Sequence, residues 1–338
     1  MNRKFNRRIF MKSTLSAGAL LAGSRISFSQ ISGTELPGNS QKQQYDPKGL
    51  PTAVLGNTGV VIPRLVFGLG SRFCNIATPD QAIDLCNYAL DSGLYYWDTA
   101  HIYENAETGA VSEERLGHVV KNRRNEIFLS TKVSSRDPEK VKFEIEDSLK
   151  RLQTDHLDML KIHAVESVDD VNNILQKGNL LDIVTKLKEE KVTRFIGFSG
   201  HSNALALKMM AETGRFDSML FAMNHYGGNK DNRQGEVIPA AKAKGMGVLL
   251  MKAIRPKETI RDIDPDELVR FAFSLEGPDG IVIGMESRKV MDANLNILRN
   301  FRPMNDEEKL RYAMMLAPFF RHENLEWMKD GYQDGYRG

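Results

Sequence analysis

Short apolar segments alternate with amphipathic helical segments along most of the chain. The apolar segments, which are typical of buried strands, are 64–68, 94–98, 127–132, 157–163, 194–199, 219–223, 247–252 and 280–284. The segments between them, for example 80–92 and 138–152, repeat apolar residues at a helical period of ~3.6. Eight strand–helix units within about 230 residues match the number and the size of the units in a (β/α)8 barrel. The pattern therefore predicts an α/β fold, a single-domain TIM barrel.

The N-terminal segment does not share this pattern. Residues 1–30 contain six basic and no acidic residues, and the apolar run Leu15–Ala22 is far shorter than the ~20 residues of a membrane span. Within it, Asn6–Lys12 (NRRIFMK) resembles the twin-arginine (Tat) export motif, and Ser27–Ser29 offers small residues at cleavage-like spacing. We expect a Tat signal peptide, a periplasmic location reached in the folded state through the Tat machinery, and no stable membrane anchor. The alternative is a basic disordered tail.

Composition sets the remaining boundaries and excludes some partners. Residues 31–50 are rich in Gly, Ser, Pro and Gln without periodicity, which predicts a linker that does not pack. The barrel domain is then expected at 51–325 and a C-terminal tail at 326–338. Of the 46 basic residues in the chain, 40 lie beyond residue 30, where there are 44 acidic residues. The expected exported protein therefore has a formal net charge near −4. This balance gives no indication of nucleic-acid binding.

The two cysteines do not suggest a metal site. Cys74 lies in a predicted loop, and Cys86 lies on the apolar face of the predicted helix 80–92. An exported location permits a disulfide bond, but a buried small apolar residue is the favoured interpretation of Cys86. No ligand set for zinc or an iron–sulfur cluster accompanies them, and we predict no metal.

Polar residues follow three consecutive predicted strands. In a barrel of this kind, catalytic residues lie at the carboxyl ends of the strands and in the loops after them. Asp98, Lys132 and His163 end the second, third and fourth strands, and Tyr103 lies in the loop after the second. A lysine ammonium beside a phenol stabilises the phenolate and lowers its pKa from ~10, and a carboxylate keeps that ammonium charged. An imidazole can orient a carbonyl oxygen, so the pattern predicts proton donation to a carbonyl. Each residue alone is more often structural.

At these residues the sequence resembles the aldo-keto reductase family. The segment 95–133 (YYWDTAHIYENAETGAVSEERLGHVVKNRRNEIFLSTKV) resembles the family's Asp-Thr-Ala, Tyr, Ser-Glu-Glu, Leu-Gly and Thr-Lys series, and 148–165 resembles the segment that ends in its histidine. The resemblance extends from about residue 52 to 300. It implies a catalytic set of Asp98, Tyr103, Lys132 and His163, with Tyr103 as general acid. It also implies hydride transfer from a nicotinamide dinucleotide to a small-molecule aldehyde or ketone.

No Rossmann fingerprint is present in the sequence. The position of the cofactor is therefore taken from the same resemblance. In the family the dinucleotide crosses the barrel mouth, and the last loops hold its phosphates. The cofactor-binding residues that this implies are Ser199, Asn224, Met251, Lys252, Gly284, Arg288, Lys289 and Asn294. Arg288 and Lys289 open the last helix, where main-chain N–H groups and basic side chains can hold phosphate. The alternative is a basic first turn that faces solvent.

Several positions depart from the family pattern. Gly200 stands where an asparagine is usual, and Met223 stands where a glutamine is usual, with Asn224 next to it and on the opposite face of a regular strand. The positions aligned with the family's 2′-phosphate contacts, Gly284 and Val290, are uncharged. We expect NADP as the cofactor, with NAD possible. Because free nucleotides are scarce outside the cytoplasm, we expect the protein to be exported with its dinucleotide tightly bound.

The sequence alone does not exclude two other functions and does not identify the residues of the substrate pocket. The departures above leave room for a cofactor-binding redox sensor or partner subunit with little turnover. A barrel hydrolase using Asp98 and Glu104 has no motif support. The aromatic segments that could line a substrate pocket, or instead pack the C-terminal helix on the barrel, are Phe73, His101, Tyr226 and 319–327.

Overall fold

Eight parallel strands close into a barrel. The computed structural model describes residues 44–223, 232–254, 262–320, 327, 334 and 336–337. In chain order the strands are β1 (Thr52–Val54), β2 (Val61–Pro63), β3 (Leu65–Gly68), β4 (Tyr96–Asp98), β5 (Glu104–Asn105), β6 (Ala110–Val111), β7 (Phe128–Val133), β8 (Leu157–Ile162), β9 (Thr193–Gly200), β10 (Ser218–Ala222), β11 (Gly247–Met251), β12 (Gly280–Gly284) and β13 (Tyr336–Arg337). The order around the barrel is β10-β11-β12-β3-β4-β7-β8-β9. The predicted α/β class and the single-domain (β/α)8 TIM barrel are confirmed.

The barrel strands form because their residues are apolar on both faces. All six residues of β7 and all six of β8 are buried, as expected for parallel strands covered by helices outside and by packed side chains inside. The eight predicted segments agree with the observed strands to within two residues at each end. β1 and β2 precede the barrel as an antiparallel hairpin, with Thr52 opposite Pro63.

Helices cover the outside of the barrel, and polar residues mark where several of them begin. Their bounds are Ser71–Cys74, Pro79–Asp91, Ser112–Arg123, Pro138–Arg151, Val168–Leu175, Leu180–Glu189, Ala204–Glu212, Ile238–Ala243, Pro265–Phe273, Arg288–Arg299 and Asp306–Leu316. Thr78 and Asp137 each accept a main-chain N–H of the first helical turn and are followed by proline, a strong start signal. Among the residues that the structure describes, none of the helices combines the length and apolar character that crossing a bilayer requires.

The last part of the predicted linker packs on the barrel, so the expectation of no packing is wrong for residues 44–50. The ring of Tyr45 stacks on Tyr95 with 5.0 Å between centroids. Its hydroxyl donates to the buried carboxylate of Asp158 at 2.8 Å, and Leu50 is buried. The Gly, Ser, Pro and Gln composition of 31–50 concealed these two large side chains, which pack on the barrel. Residues 1–43, with the predicted signal peptide, lie outside the described residues.

Both cysteines are buried and free. Cys74 ends the short helix Ser71–Cys74, although the sequence predicted a loop there. Burial raises the pKa of the Cys74 thiol to about 11 and raises that of Cys86 further above its usual value. Both thiols are therefore protonated near neutral pH and behave as small apolar groups, as expected for Cys86.

The described part of the C-terminal tail returns to the barrel mouth. β13 pairs in parallel with β5, with Tyr336 opposite Glu104 and Arg337 opposite Asn105. β5 begins directly after Tyr103, so this pairing brings the end of the chain beside the predicted general acid. Trp327 is buried, and its ring lies 6.1 Å from that of Phe319.

Candidate active site

The strand register brings the predicted polar residues to one end of the barrel interior. Asp98 of β4 is opposite Ser130 of β7, and Lys132 of β7 is opposite Lys161 of β8. Because side chains alternate along a strand, Ser130 and Lys132 face the same side. The side chains of Asp98, Lys132 and Lys161 are at most 3% exposed. One buried carboxylate therefore lies between two buried lysines.

Lys132 is the cation that the sequence predicted beside the phenol. Its Nζ donates to Asp98 Oδ2 at 2.6 Å, to the carbonyl oxygen of Thr99 at 2.7 Å and to the hydroxyl oxygen of Tyr103 at 3.2 Å. These three contacts use the three N–H donors of an ammonium group. The positive charge is thereby fixed in reach of the Tyr103 hydroxyl, with Asp98 behind it.

Lys161 also holds Asp98, which the sequence analysis did not predict. Its Nζ donates to Asp98 Oδ1 at 2.7 Å and to Ser130 Oγ at 2.6 Å. Burial alone would raise the pKa of Asp98, but the attraction of Lys132 and Lys161 outweighs it and holds that pKa below its usual value. Burial lowers the pKa of both lysines, and Asp98 opposes this effect. Lys161 lies two positions before His163 on the same face of its strand, and this alternation was the available signal.

The loop after β4 fixes the orientation of Tyr103. The Tyr103 N–H donates to the carbonyl oxygen of Ala100 at 3.1 Å, and its own carbonyl oxygen accepts from the N–H of Ser112 at 2.9 Å. The ring packs with Cys74, Ala100 and Ala110, and only 6% of the residue is exposed. A Cβ atom at Gly70 would lie 3.3 Å from the ring, so glycine gives the phenol its space. The hydroxyl is therefore the part of Tyr103 that faces the barrel mouth.

His163 presents a neutral imidazole to the same point. Burial lowers its pKa to about 4, so the ring carries one proton near neutral pH. Nδ1 lies 3.1 Å from the hydroxyl of Ser134; if that hydroxyl donates, the ring proton is on Nε2, which faces the barrel mouth. The ring centroid is 5.6 Å from that of Tyr103. Tyr103 and His163 can thus both donate to a single oxygen.

An oxygen of the C-terminal tail occupies that point. Asp334 Oδ2 accepts from the Tyr103 hydroxyl at 2.7 Å and lies 3.4 Å from His163 Nε2. Asp334 Oδ1 accepts from Lys252 Nζ at 2.6 Å and lies 3.5 Å from His201 Nε2. Burial alone would raise the pKa of Asp334, but Lys252 and His201 outweigh it and hold that pKa well below its usual value.

His201 is, after Lys161, the second residue at this site that was not predicted from the sequence. It follows β9 directly, so the strand-end rule that selected Asp98 and His163 also points to it. Its Nδ1 lies 2.7 Å from Glu166 Oε1, and its main-chain N–H donates to the same oxygen at 2.8 Å. Burial would lower the pKa of His201, but the carboxylates of Asp334 and Glu166 raise it. The pKa of His201 is therefore raised, whereas that of His163 is lowered.

A cavity of about 130 Å³ opens beside these residues. Tyr103 and Asp98 line it, together with Met251, Lys252 and Gly284 of the predicted cofactor set. A Cβ atom at Gly284 would lie only 3.1 Å from the side chain of Arg72, which also lines the cavity. The glycine thus gives the Arg72 side chain its space, and Arg72, which lies 3.5 Å from Glu286, supplies a cation at the mouth. Arg72 and Lys252 in the lining suit an anionic group such as a phosphate.

The other predicted cofactor residues lie outside this lining. Ser199 is buried, and its Oγ accepts from the N–H of Ala164 at 3.2 Å. Arg288 forms an ion pair with Asp84 at 2.6 Å, and Lys289 is exposed. The Asn294 amide donates to a carbonyl oxygen of its own helix at 2.8 Å. Asn224, like Tyr226 of the predicted pocket, lies outside the described residues.

The sequence is similar to curated proteins described as a dehydrogenase and as an oxidoreductase. The chain is 32% identical over 211 residues to an L-galactose dehydrogenase of Arabidopsis thaliana, covering 58% of this chain and 62% of that protein. It is 29% identical over 215 residues to the uncharacterized oxidoreductase YrpG of Bacillus subtilis, covering 58% and 64%. The chain thus spans less than two thirds of the length of these curated relatives.

Solved structures and a family model agree with these matches. The holo form of aldo-keto reductase AKR11C1 from Bacillus halodurans superposes with a TM-score of 0.64 at 20% identity, covering 79% of this chain and 96% of that one, which shows the fold. A putative aldo-keto reductase from Pseudomona aeruginosa gives a TM-score of 0.59 at 23% identity, covering 77% and 96%. The model described as "Aldo/keto reductase family" matches residues 64–256, more than half of the chain. The chain therefore belongs to the aldo/keto reductase family.

Proposed function

We propose that the protein reduces an aldehyde or ketone to an alcohol, with a hydride from a nicotinamide dinucleotide and a proton from Tyr103. The observation that carries this proposal is the three-way contact of Lys132 with Asp98, the Thr99 carbonyl oxygen and the Tyr103 hydroxyl. It places a fixed positive charge where a phenolate would form. A structural role alone does not require a tyrosine hydroxyl to face a cavity at the barrel mouth.

Each residue of the set has one task in proton transfer. The Tyr103 hydroxyl donates to the substrate carbonyl oxygen, and the Lys132 ammonium, 3.2 Å away, stabilises the phenolate that remains. Asp98 keeps Lys132 in place and charged, and Lys161 holds the other oxygen of Asp98. His163, neutral because of its burial, orients the carbonyl oxygen through Nε2. Proton donation and polarisation of the carbonyl thus come from this chain alone.

The cofactor is expected in the cavity beside Arg72, Met251, Lys252 and Gly284, and NADP is the proposed form. When bound there, the nicotinamide supplies the hydride. Arg288 begins the helix Arg288–Arg299, where the helix dipole favours an anion. The Arg288–Asp84 pair is more than half exposed on both sides and therefore weak, so a phosphate can replace the carboxylate.

Turnover of a carbonyl panel tests this proposal. We expect the full chain to oxidise NADPH faster than NADH in the presence of an aldehyde or ketone and to form an equimolar amount of alcohol, identified by mass. Arg288→Gln is expected to raise the KM for NADPH and leave that for NADH unchanged, with Arg299→Gln, at the far end of the same helix, as the matched control. A protein that binds nucleotide but turns over no carbonyl would instead favour the redox sensor, which the complete catalytic set does not favour.

Export is a separate part of the proposal. We infer that residues 1–30 are a Tat signal, followed by a linker, the barrel domain at 51–325 and the tail at 326–338, and that the folded protein reaches the periplasm with its nucleotide. The motif NRRIFMK supports this. In cell fractionation we expect the protein and co-purifying nucleotide in the periplasm. Replacing both Arg7 and Arg8 with lysine should retain it in the cytoplasm, whereas Arg25→Lys should not; equal distribution of all three proteins would contradict export.

A further inference from the structure

The Asp334 carboxylate lies where the proposed reaction requires the substrate oxygen. Its Oδ2 atom is 2.7 Å from the Tyr103 hydroxyl oxygen and 3.4 Å from His163 Nε2. Proton transfer needs the reacting oxygen within ~2.6–3.2 Å of the donor. Asp334 Oδ2 and a substrate oxygen cannot both occupy that position. Turnover therefore requires that the substrate displace this carboxylate.

The second oxygen of Asp334 marks another binding position, formed by Lys252 and His201. We call this pair the anion subsite. Lys252 Nζ is 2.6 Å from Asp334 Oδ1, and His201 Nε2 is 3.5 Å from it. The backbone of Lys252 has φ 67°, a left-handed conformation that is costly for a non-glycine residue. Such strain at the end of a barrel strand is typical of a functional position.

The partners of His201 favour its positive charge. Glu166 accepts from the main-chain N–H of His201 and lies 2.7 Å from Nδ1, so the other ring nitrogen faces Asp334. Together with Lys252 Nζ, the ring thus presents a second nitrogen to the same oxygen. This subsite lies beside the carbonyl position, because a single carboxylate contacts both.

We infer that the substrate is a 2-oxo acid, a carbonyl compound with a carboxylate on the adjacent carbon, and that Asp334 is a built-in substitute for it. In such a compound the carbonyl oxygen and one carboxylate oxygen lie on neighbouring carbons and can point the same way. The first then binds Tyr103 and His163, and the second binds Lys252 and His201. An anionic substrate replaces the ion pair between Asp334 and Lys252, whereas a neutral carbonyl breaks it with no charge to replace it.

This inference rests on the proposed function and completes its chemistry. The carbonyl carbon of the 2-oxo acid gains a hydride from the reduced nicotinamide, which is oxidised. The carbonyl oxygen gains the Tyr103 proton, so the product is a 2-hydroxy acid. Tyr103 is reprotonated from solvent after the product leaves.

The attachment of the tail fits a carboxylate that can leave. β13 pairs with β5 over two residues on each strand, and Asp334 lies two residues before this short pairing. The carboxylate thus competes with substrate from within the chain. Only the displaced state binds substrate, so the apparent KM is the intrinsic KM divided by the fraction of molecules in which Asp334 has left the site.

Matched acid and ester substrates test the inference. With NADPH saturating, we expect the wild type to prefer pyruvate to methyl pyruvate in kcat/KM. Asp334→Ala should lower the KM for pyruvate about tenfold by removing the internal competitor. Adding Lys252→Met to this variant should abolish the preference for the acid, measured as the ratio of kcat/KM for pyruvate to kcat/KM for methyl pyruvate. Asp155→Ala, which removes an exposed carboxylate before the amino end of β8, is the control. It should change neither the KM for pyruvate nor the KM for methyl pyruvate.

Binding of oxamate, a non-reducible analogue of a 2-oxo acid, tests the anion subsite without turnover. By calorimetry we expect about tenfold tighter binding to Asp334→Ala than to the wild type, and loss of that gain with Lys252→Met. Equal oxamate affinities in all variants, or equal use of acid and ester with Lys252 present or absent, would overturn the inference. A protein that binds oxamate in the expected order but reduces no carbonyl would contradict the proposed function and leave the subsite standing.

Discussion

Asp98→Asn is expected to lower the free energy of unfolding by about 3–5 kcal/mol, the usual effect of removing one member of a buried ion pair. Asp98 is the carboxylate partner of both Lys132 and Lys161, and the side chains of all three are at most 3% exposed. Asparagine keeps the shape but leaves two ammonium groups without this partner in the barrel interior. Urea unfolding at pH 7 measures the difference. Asp91→Asn, which breaks an exposed pair with Arg123, is the control and should cost at most ~1 kcal/mol.

The loss should diminish as the pH rises. Burial holds the folded-state pKa of Lys132 and Lys161 below the ordinary value of 10.5, and Asp98 opposes this effect in the wild type. Without Asp98 both pKa values fall further. Between the folded and unfolded pKa values the unfolded chain binds more protons, so stability increases with pH. A deficit under ~1 kcal/mol at pH 7, or one that is constant up to pH 10, would show that Asp98 does not compensate these charges.

In the wild type the same carboxylate should act at the other end of the pH range. The folded-state pKa of Asp98 is held below its ordinary value of 3.8 by the two lysines. Its contribution to stability is therefore present above the unfolded pKa and is lost as the pH falls through the folded pKa. Asp98→Asn should remove this part of the acid sensitivity.

Local pattern was enough to predict the barrel and several of the polar residues that meet at its mouth. Each barrel strand is buried on both faces and therefore consists of consecutive apolar residues, a pattern that can be recognised in the sequence. The strand-end rule then selects Asp98, Lys132 and His163, since parallel strands deliver their carboxyl ends to one face. The same rule, applied to β9, would have selected His201.

What the sequence did not reveal depends on contacts between distant segments. Asp334 and His163 are 171 residues apart in the sequence. Neither hydrophobic periodicity nor a motif predicts that a polar tail contacts the barrel mouth. For Arg288, the helix-start pattern predicted an anion site, but the adjacent helix supplies Asp84 as its ion-pair partner. Tyr45 shows the same limit, because its partner Tyr95 lies 50 residues away in the barrel and not in the polar segment around Tyr45.

Tyr103→Phe is expected to reduce kcat for carbonyl reduction by about 10²–10⁴-fold, the usual contribution of a positioned general acid. Phenylalanine removes only the hydroxyl that lies 3.2 Å from Lys132 Nζ and 2.7 Å from Asp334 Oδ2. The ring keeps its packing against Cys74, Ala100 and Ala110, so the fold should be retained. Steady-state kinetics with nucleotide binding measured in parallel will show a loss in kcat with little change in nucleotide affinity.

Tyr88→Phe is the matched control for this experiment. The Tyr88 hydroxyl also donates to a carboxylate, that of Asp292, at 2.5 Å, but on the exposed outer surface. Its loss should leave kcat unchanged, which separates the removal of a tyrosine hydroxyl in general from the removal of the proton donor. If Tyr103→Phe keeps wild-type turnover, the proton comes from another group. The contact of Lys132 with Tyr103 would then serve to hold the loop after β4 in place, and the assignment of Tyr103 as general acid would have to be abandoned.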